Sequence, residues 1–166
     1  MPYKTKVQEV MKRKVITLSK YDRAKAAARL IVSKKIGCVI IQDEHKVPLG
    51  IVTERDLVSK IIAGNKSTNI ALEIIMTSPL LVIPVTCTLA EAARIMTSNN
   101  IKRLPVINKK GQLVGIISIS DILRATMTDS DLSDGELLEY LSSILKIVDS
   151  LTLDDSSSTL EKLDNL

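Results

Sequence analysis

An internal duplication constrains this chain more than any other feature of its sequence. Sliding its 166 residues against themselves by 65 positions brings the stretch from about residue 7 to residue 125 into register without a gap. Met11 meets Met76, Ala27-Ala28-Arg29 meets Ala92-Ala93-Arg94, Ser33 meets Ser98, Ile36 meets Ile101, Gly50-Ile51 meets Gly115-Ile116, and Asp56 meets Asp121. Between these identities aliphatics face aliphatics: Val15 and Leu80, Val39 and Leu104, Ile41 and Val106, Val52 and Ile117, Leu57 and Ile122. A unit of about 60 residues buries too little surface to be comfortable alone, so the two copies are expected to pack face to face about a pseudo-twofold axis.

Each copy carries the same pattern of elements. A short β-branched run (15–18; 81–85) leads into an Ala-rich helix (about 23–35; 89–100), and the second of these helices opens with the capping box Thr88/Glu91. Two strands follow, 38–42 with 49–53 and 104–107 with 113–118, joined by the polar turns "DEHKVP" and "NKKGQ". A closing helix runs to Ala63 in one copy and to about Met127 in the other. The order β-α-β-β-α, twice, predicts a mixed α/β (α+β) fold with the repeats at 7–66 and 72–128, followed by an acidic helix and tail at 129–166.

The stretch "GIVTERD" (50–56) returns as "GIISISD" (115–121). A Thr or Ser three residues before an acid is a capping box, and one copy alone would need no further explanation. Here the box follows a glycine at the same offset in both copies, and a glycine lets backbone approach closely. A helix N-terminus offers amides and a positive dipole end to a phosphate. An aspartate beside it can accept from both hydroxyls of a ribose, as the acidic residue of dinucleotide folds does. Phosphate and diol together point to a ribonucleotide.

Composition narrows the alternatives. Aromatics make up 2% of the chain, three tyrosines with no Phe or Trp, which weighs against modules that stack single-stranded bases. Ten acidic residues against Lys146 and Lys162 give 129–166 a net charge of −8, and the overall +4 leaves +12 on 1–128. The clusters Lys12-Arg13-Lys14, Lys34-Lys35, Lys102-Arg103 and Lys109-Lys110 suit an anionic partner as well as a solvated surface. Cys38 and Cys87 form no metal or CxxC spacing and read as idle thiols. His45, the one histidine, falls in a turn without a repeated Cys, Ser or Asp partner, and there is no nucleophile elbow or Walker loop, so no catalysis is expected. The sequence has no apolar run near the roughly 20 residues a membrane span needs, nor a signal-peptide pattern, so a cytoplasmic protein without membrane contact is expected.

Through "VMKRKVITL", "IGCVIIQDEHKVPLGIVTERDL" and "IKRLPVINKKGQLVGIISISDIL", residues 7–127 resemble a tandem pair of cystathionine-β-synthase-type (CBS) domains, a Bateman module. The resemblance implies a sensor that binds AMP, ADP or ATP, or S-adenosylmethionine, between its repeats, requires no cofactor, holds no metal, and pairs into disc-shaped homodimers. Carried over residue by residue, it implies that Asp56 and Asp121 hold ribose hydroxyls, and that Thr53 with Arg55 and Ser118 with Ser120 face phosphate. Adenine would lie near Ile36, Gly37 and Cys38 in one copy and near Ile101, Arg103 and Leu104 in the other, with Thr17 at the end of the first strand as a further candidate. Lys102 and Arg103 stand where a helix ends and a strand begins, and suit either a phosphate or the negative end of the helix dipole. The copies depart from each other where Cys38-Val39-Ile40 faces Arg103-Leu104-Pro105, and where Val82 stands opposite Thr17.

The function expected is therefore a nucleotide-sensing regulatory module without catalysis of its own. The alternatives are a basic nucleic-acid binder and a purely structural, dimerising interaction protein. Leu137, Leu141, Ile144, Val148 and Leu151, spaced by four and three, form the seam of an amphipathic helix that would cover its own module, a dimer mate or a separate effector.

Overall fold

A computed structural model describes residues 4–127, so the acidic segment 129–166 and its expected helix lie outside the described residues. The chain divides into two compact units: one comprises Lys12–Pro84 with Pro105–Ile116, the other Val85–Leu104 with the described residues before Lys12 and from Ile117 onward.

In the first of these units, β1 (Thr17–Ser19) runs parallel to β2 (Cys38–Gln42), which pairs antiparallel with β3 (Pro48–Thr53). The central strand β2 is an unbroken apolar run, Cys38 to Ile41, and all four residues are buried, as expected for a strand covered on both faces. Helix α2 (Ala24–Lys34) lays Ala24, Ala27 and Ile31 on this sheet, where they join Val39, Ile41 and Val52. Spacings of three and four put these residues on one helical stripe.

Beyond β3 the chain enters α3 (Glu54–Asp56), which continues as a π-helix at Leu57–Ala63 where an α-helix was expected. The wider winding ends at Gly64, where an added Cβ would lie 2.5 Å from the Lys60 carbonyl oxygen, so a residue without Cβ lets the chain leave that close to the previous turn. Helix α4 (Leu72–Ile75) adds Leu72 and Ile75 to the same core, together with Ile61 of the π-helix. Strand β1 is shorter than the sequence suggested and starts at Thr17.

The second copy repeats the order. β4 (Ile83–Pro84) is parallel to β5 (Arg103–Ile107), with β6 (Leu113–Ser118) on the far side. The expected strand at 81–85 shrinks to two residues, one of them a proline that has no N–H for a ladder. In the other compact unit α5 (Leu89–Ser98) and α1 (Val7–Val10) both pack on α6 (Ile119–Met127). Helix α5 buries Leu89, Ala92, Ala93 and Met96, and α6 buries Ile119 and Ile122. The box at Thr88 forms as expected: Thr88 Oγ1 accepts from Glu91 N at 3.2 Å, and a Glu91 carboxylate oxygen accepts from Thr88 N at 2.8 Å. Cys38 and Cys87 form no disulfide and are buried, and burial together with the nearby Glu91 charge pushes the Cys87 thiol up to about 11.

Helices α1 and α4 are too short to show a period in the residue pattern, yet they belong to two leading segments that do equivalent work. Segment 68–73 caps α2: Ala24 N donates to Ile70 O at 3.0 Å and Lys25 N to Thr68 O at 2.9 Å, while Leu72 N donates to Asp22 O at 2.9 Å. Segment 5–7 does the same for α5, with Leu89 N donating to Thr5 O at 3.0 Å and Val7 N to Cys87 O at 2.8 Å. Arg23 therefore starts α2 without a side-chain cap, because main-chain carbonyls already satisfy its first amides.

The same segments close a backbone bridge on each outer strand. Ile51 and Thr77 exchange hydrogen bonds of 3.1 and 2.8 Å, and Lys12 and Ile116 exchange two of 2.9 Å. Gly50 makes the first bridge possible, since a Cβ there would sit 2.8 Å from Met76 Sδ and 2.9 Å from Thr77 O. The sulfur can swing away but the bridged carbonyl cannot. Gly50→Ala is therefore expected to cost about 1–3 kcal/mol, seen as a lower urea midpoint at unchanged slope.

Candidate functional site

Both repeated boxes form, each within one compact unit. In the first, Thr53 Oγ1 accepts from Asp56 N at 3.1 Å, and Asp56 Oδ2 accepts from Thr53 N at 2.9 Å and from Thr53 Oγ1 at 2.7 Å. In the second, Ser118 Oγ accepts from Asp121 N at 3.3 Å, and Asp121 Oδ2 accepts from Ser118 N at 3.0 Å and from Ser118 Oγ at 2.5 Å. Both carboxylates are buried, Asp56 at 9% exposure and Asp121 at 3%. Each box thus spends one carboxylate oxygen on the cap and leaves further chemistry to Oδ1.

Each box is also fastened to the helix-to-strand junction of its own copy. Glu54 N donates to Gly37 O at 3.3 Å, and Cys38 is the register partner of Thr53. Ile119 N donates to Lys102 O at 3.1 Å. The structure therefore brings Ile36, Gly37 and Cys38 beside Thr53–Asp56, and Ile101, Lys102, Arg103 and Leu104 beside Ser118–Asp121. These are the groupings that the resemblance implied within each copy. Arg55, Ser120 and Lys102 are exposed, Ile36, Gly37 and Ile101 half-buried, and Cys38 and Leu104 buried. Thr17, half-buried, starts β1 opposite Ile40, one strand across and two residues along from Cys38.

Two residues at the first box escaped the sequence reading. Lys60 Nζ lies 2.7 Å from Asp56 Oδ1 and also donates to Ile75 O at 2.7 Å, and Thr77 Oγ1 donates to Asp56 Oδ1 at 3.3 Å. The i,i+4 spacing of Asp56 and Lys60 was a signal available in the sequence. Thr77 depends on the backbone bridge to Ile51 and had none. At the second box Arg124 Nη1, on a side chain 69% exposed, approaches Asp121 Oδ1 at 3.4 Å.

Burial by itself pushes the Asp56 carboxyl up, but the hydrogen bonds from Lys60 and Thr53 and the Lys60 charge outweigh it and hold the group below the usual carboxylate range. A depressed folded-state value contributes stability that is complete above the unfolded value of about 3.9 and is lost as pH falls through the folded one. The thermal midpoint is expected to drop below about pH 4, and Asp56→Asn should flatten that acid limb in a scan of unfolding temperature against pH.

Among the described residues no group of three or more His, Cys, Asp or Glu side chains could hold a metal ion, and no helix is long and apolar enough to cross a membrane. The family model for the CBS domain matches residues 7–63 and 71–128. The chain belongs to the CBS domain family. An uncharacterized protein from Methanopyrus kandleri is 36% identical over 119 residues, which cover 71% of this chain and 61% of that protein, so the chain spans under two thirds of its length. A CBS-domain containing protein from Agrobacterium tumefaciens superposes with a TM-score of 0.68 at 34% identity, covering 74% of this chain and 99% of the other. A CBS domain pair in complex with 5′-methylthioadenosine and S-adenosyl-L-methionine superposes with a TM-score of 0.69 at 28% identity, covering 74% and 96%.

Proposed function

We propose that this CBS pair is a regulatory module that binds an adenosine compound and catalyses no reaction itself. The observation that carries the reading is the duplicated box. In both copies a buried aspartate is held by its own helix cap against the junction where a strand begins, with one carboxylate oxygen directed away from the cap contacts. A fixed carboxylate of this kind suits a vicinal diol, which donates two hydroxyls, and the aliphatic and backbone surface of Ile36–Cys38 or Ile101–Leu104 suits a purine face. The likeness to a CBS pair that carries two adenosyl compounds supports the same ligand class.

AMP, ADP, ATP and S-adenosylmethionine share the adenosine core that these groups would recognise. Arg55 or Lys102 with Arg103 would meet a phosphate where the ligand has one. The module would act by favouring one of two conformations, to the extent that the ligand binds them unequally. A homodimer, and an effector docked by the segment 136–153, belong to the same proposal.

Calorimetric titration with AMP, ATP and S-adenosylmethionine, with 2′-deoxy-AMP as control, tests the reading. Binding of one of the three is expected, weakened about tenfold or more in Asp121→Ala and for the 2′-deoxy compound, as for loss of a hydrogen bond to a charged group. An affinity that instead falls steeply with salt, with no preference for the ribose hydroxyl, would favour the nucleic-acid reading.

A further inference from the structure

The two oxygens of the Asp56 carboxylate hold different parts of the chain. Oδ2 accepts from the amide and the hydroxyl of Thr53 and belongs to the cap, while Oδ1 accepts from Lys60 Nζ at 2.7 Å and from Thr77 Oγ1 at 3.3 Å. Lys60 Nζ also donates to the carbonyl oxygen of Ile75 at 2.7 Å. That carbonyl stands at the C-terminal end of α4, where a helix has no further amide of its own to offer, and Ile75 is fully buried. A single ammonium thus satisfies a carboxylate and a buried helix end together.

Helix α4 sits in the middle of the leading segment that starts α2. Before it, Thr68 O and Ile70 O accept from the first amides of α2, and Leu72 N and Glu73 N donate to Asp22 O and Lys20 O at 2.9 and 3.0 Å; after it, Thr77 is bridged to Ile51. The Lys60 side chain is 37% exposed and that of Asp56 12%. An ammonium is held in so partly buried a place by the charge beside it. Once that carboxylate is engaged elsewhere, the desolvation is no longer offset and the flexible stem lets the charge swing into water. The Ile75 carbonyl then loses its donor, and a buried acceptor without a partner weakens the segment that carries it.

We propose that Lys60 is a relay from the Asp56 carboxylate to the leading segment 68–77. A ribose diol on Oδ1 displaces the ammonium, the ammonium releases Ile75, and the segment loosens where it starts α2. The inference rests on the adenosine reading above and adds the route by which an occupied site changes the protein around it.

The experiment measures amide hydrogen exchange by NMR on the full chain, with and without saturating 5′-methylthioadenosine, which carries the ribose but no phosphate for a lysine to attract. Calorimetry establishes binding under the same conditions. In the wild type the ligand is expected to speed exchange at least about tenfold at Ala24, Lys25, Leu72 and Glu73, as for the loss of one hydrogen bond to a local opening. Asp56→Asn should exchange fast at these amides without ligand. Lys60→Ala, which installs the residue found at the corresponding position 125, should still bind, but exchange fast from the start and respond no further. The Ala92 amide of α5 should keep its rate throughout, which a general loss of stability would not allow. Thr77→Val, without the 3.3 Å hydroxyl contact, should respond as the wild type. If Lys60→Ala does not fold by circular dichroism, Lys60→Met keeps an unbranched apolar stem and removes the donor.

Binding that leaves the four amides unchanged, a response that survives Lys60→Ala, or one that Thr77→Val abolishes would overturn the relay and leave the adenosine reading intact. Calorimetric silence of the wild type would overturn the adenosine reading, and the relay with it.

Discussion

Two main-chain bridges within one compact unit tie the outer strands to the leading segments, and the geometry beside the first repeated box depends on one of them. Each joins the outer strand of one copy to the segment that leads into the other: Ile51 to Thr77, and Ile116 to Lys12. The amides that begin α2 and α5 are satisfied by the same leading segments, at Thr68 and Ile70 and at Thr5. A buried helix start without partners would leave orphan donors, each costing about 1–3 kcal/mol. The leaders are therefore structural members in their own right. The bridge at Thr77 also fixes where its hydroxyl stands, 3.3 Å from Asp56, so a backbone constraint made beside Gly50 reaches the candidate binding carboxylate.

The boxes are helix caps built from the same atoms that the proposed ligand reading uses. Capping needs a hydroxyl and a carboxylate held rigidly at a helix start, and recognition of a diol needs a carboxylate held rigidly anywhere. Because the cap uses Oδ2, it orients the group without exhausting it. The two copies then differ in what stands near Oδ1: a doubly anchored ammonium and a threonine at Asp56, an exposed guanidinium at Asp121. Equal motifs in a sequence need not make equal sites, because the neighbours that decide their chemistry lie outside the repeat's identities.

Much of the fold was legible because a repeat reports the same pattern twice. The Ala-rich helices, the paired strands and both boxes could be placed from periodicity and from residues such as Thr53, Asp56, Ser118 and Asp121. Their grouping with Ile36–Cys38 and Ile101–Leu104 holds in the structure through the hydrogen bonds at Gly37 and Lys102. What the sequence hid was of three kinds. Segments of four residues such as Val7–Val10 and Leu72–Ile75 are too short to carry a helical period, so the leaders looked like linkers. Arg23 lacks the side-chain cap that marks Thr88, because its helix is capped by distant carbonyls that no local pattern reveals. The change from α to π winding after Asp56 is equally invisible to a pattern of apolar residues, since Leu57 and Ile61 suit either.

The exchange of leaders also bears on how such a chain could have arisen. In this arrangement a single copy does not set its own leader on its own helix start. A protein of one copy reaches the same pairing only by trading leaders with a second molecule, and its stability then rises and falls with concentration. Joining two copies in tandem turns that encounter into a closure within one chain, at an effective concentration on the order of millimolar for a short flexible connection. Fusion also frees the two copies to diverge, which no pair of identical chains can do, and a lysine at one position facing an alanine at its counterpart is a difference of that kind.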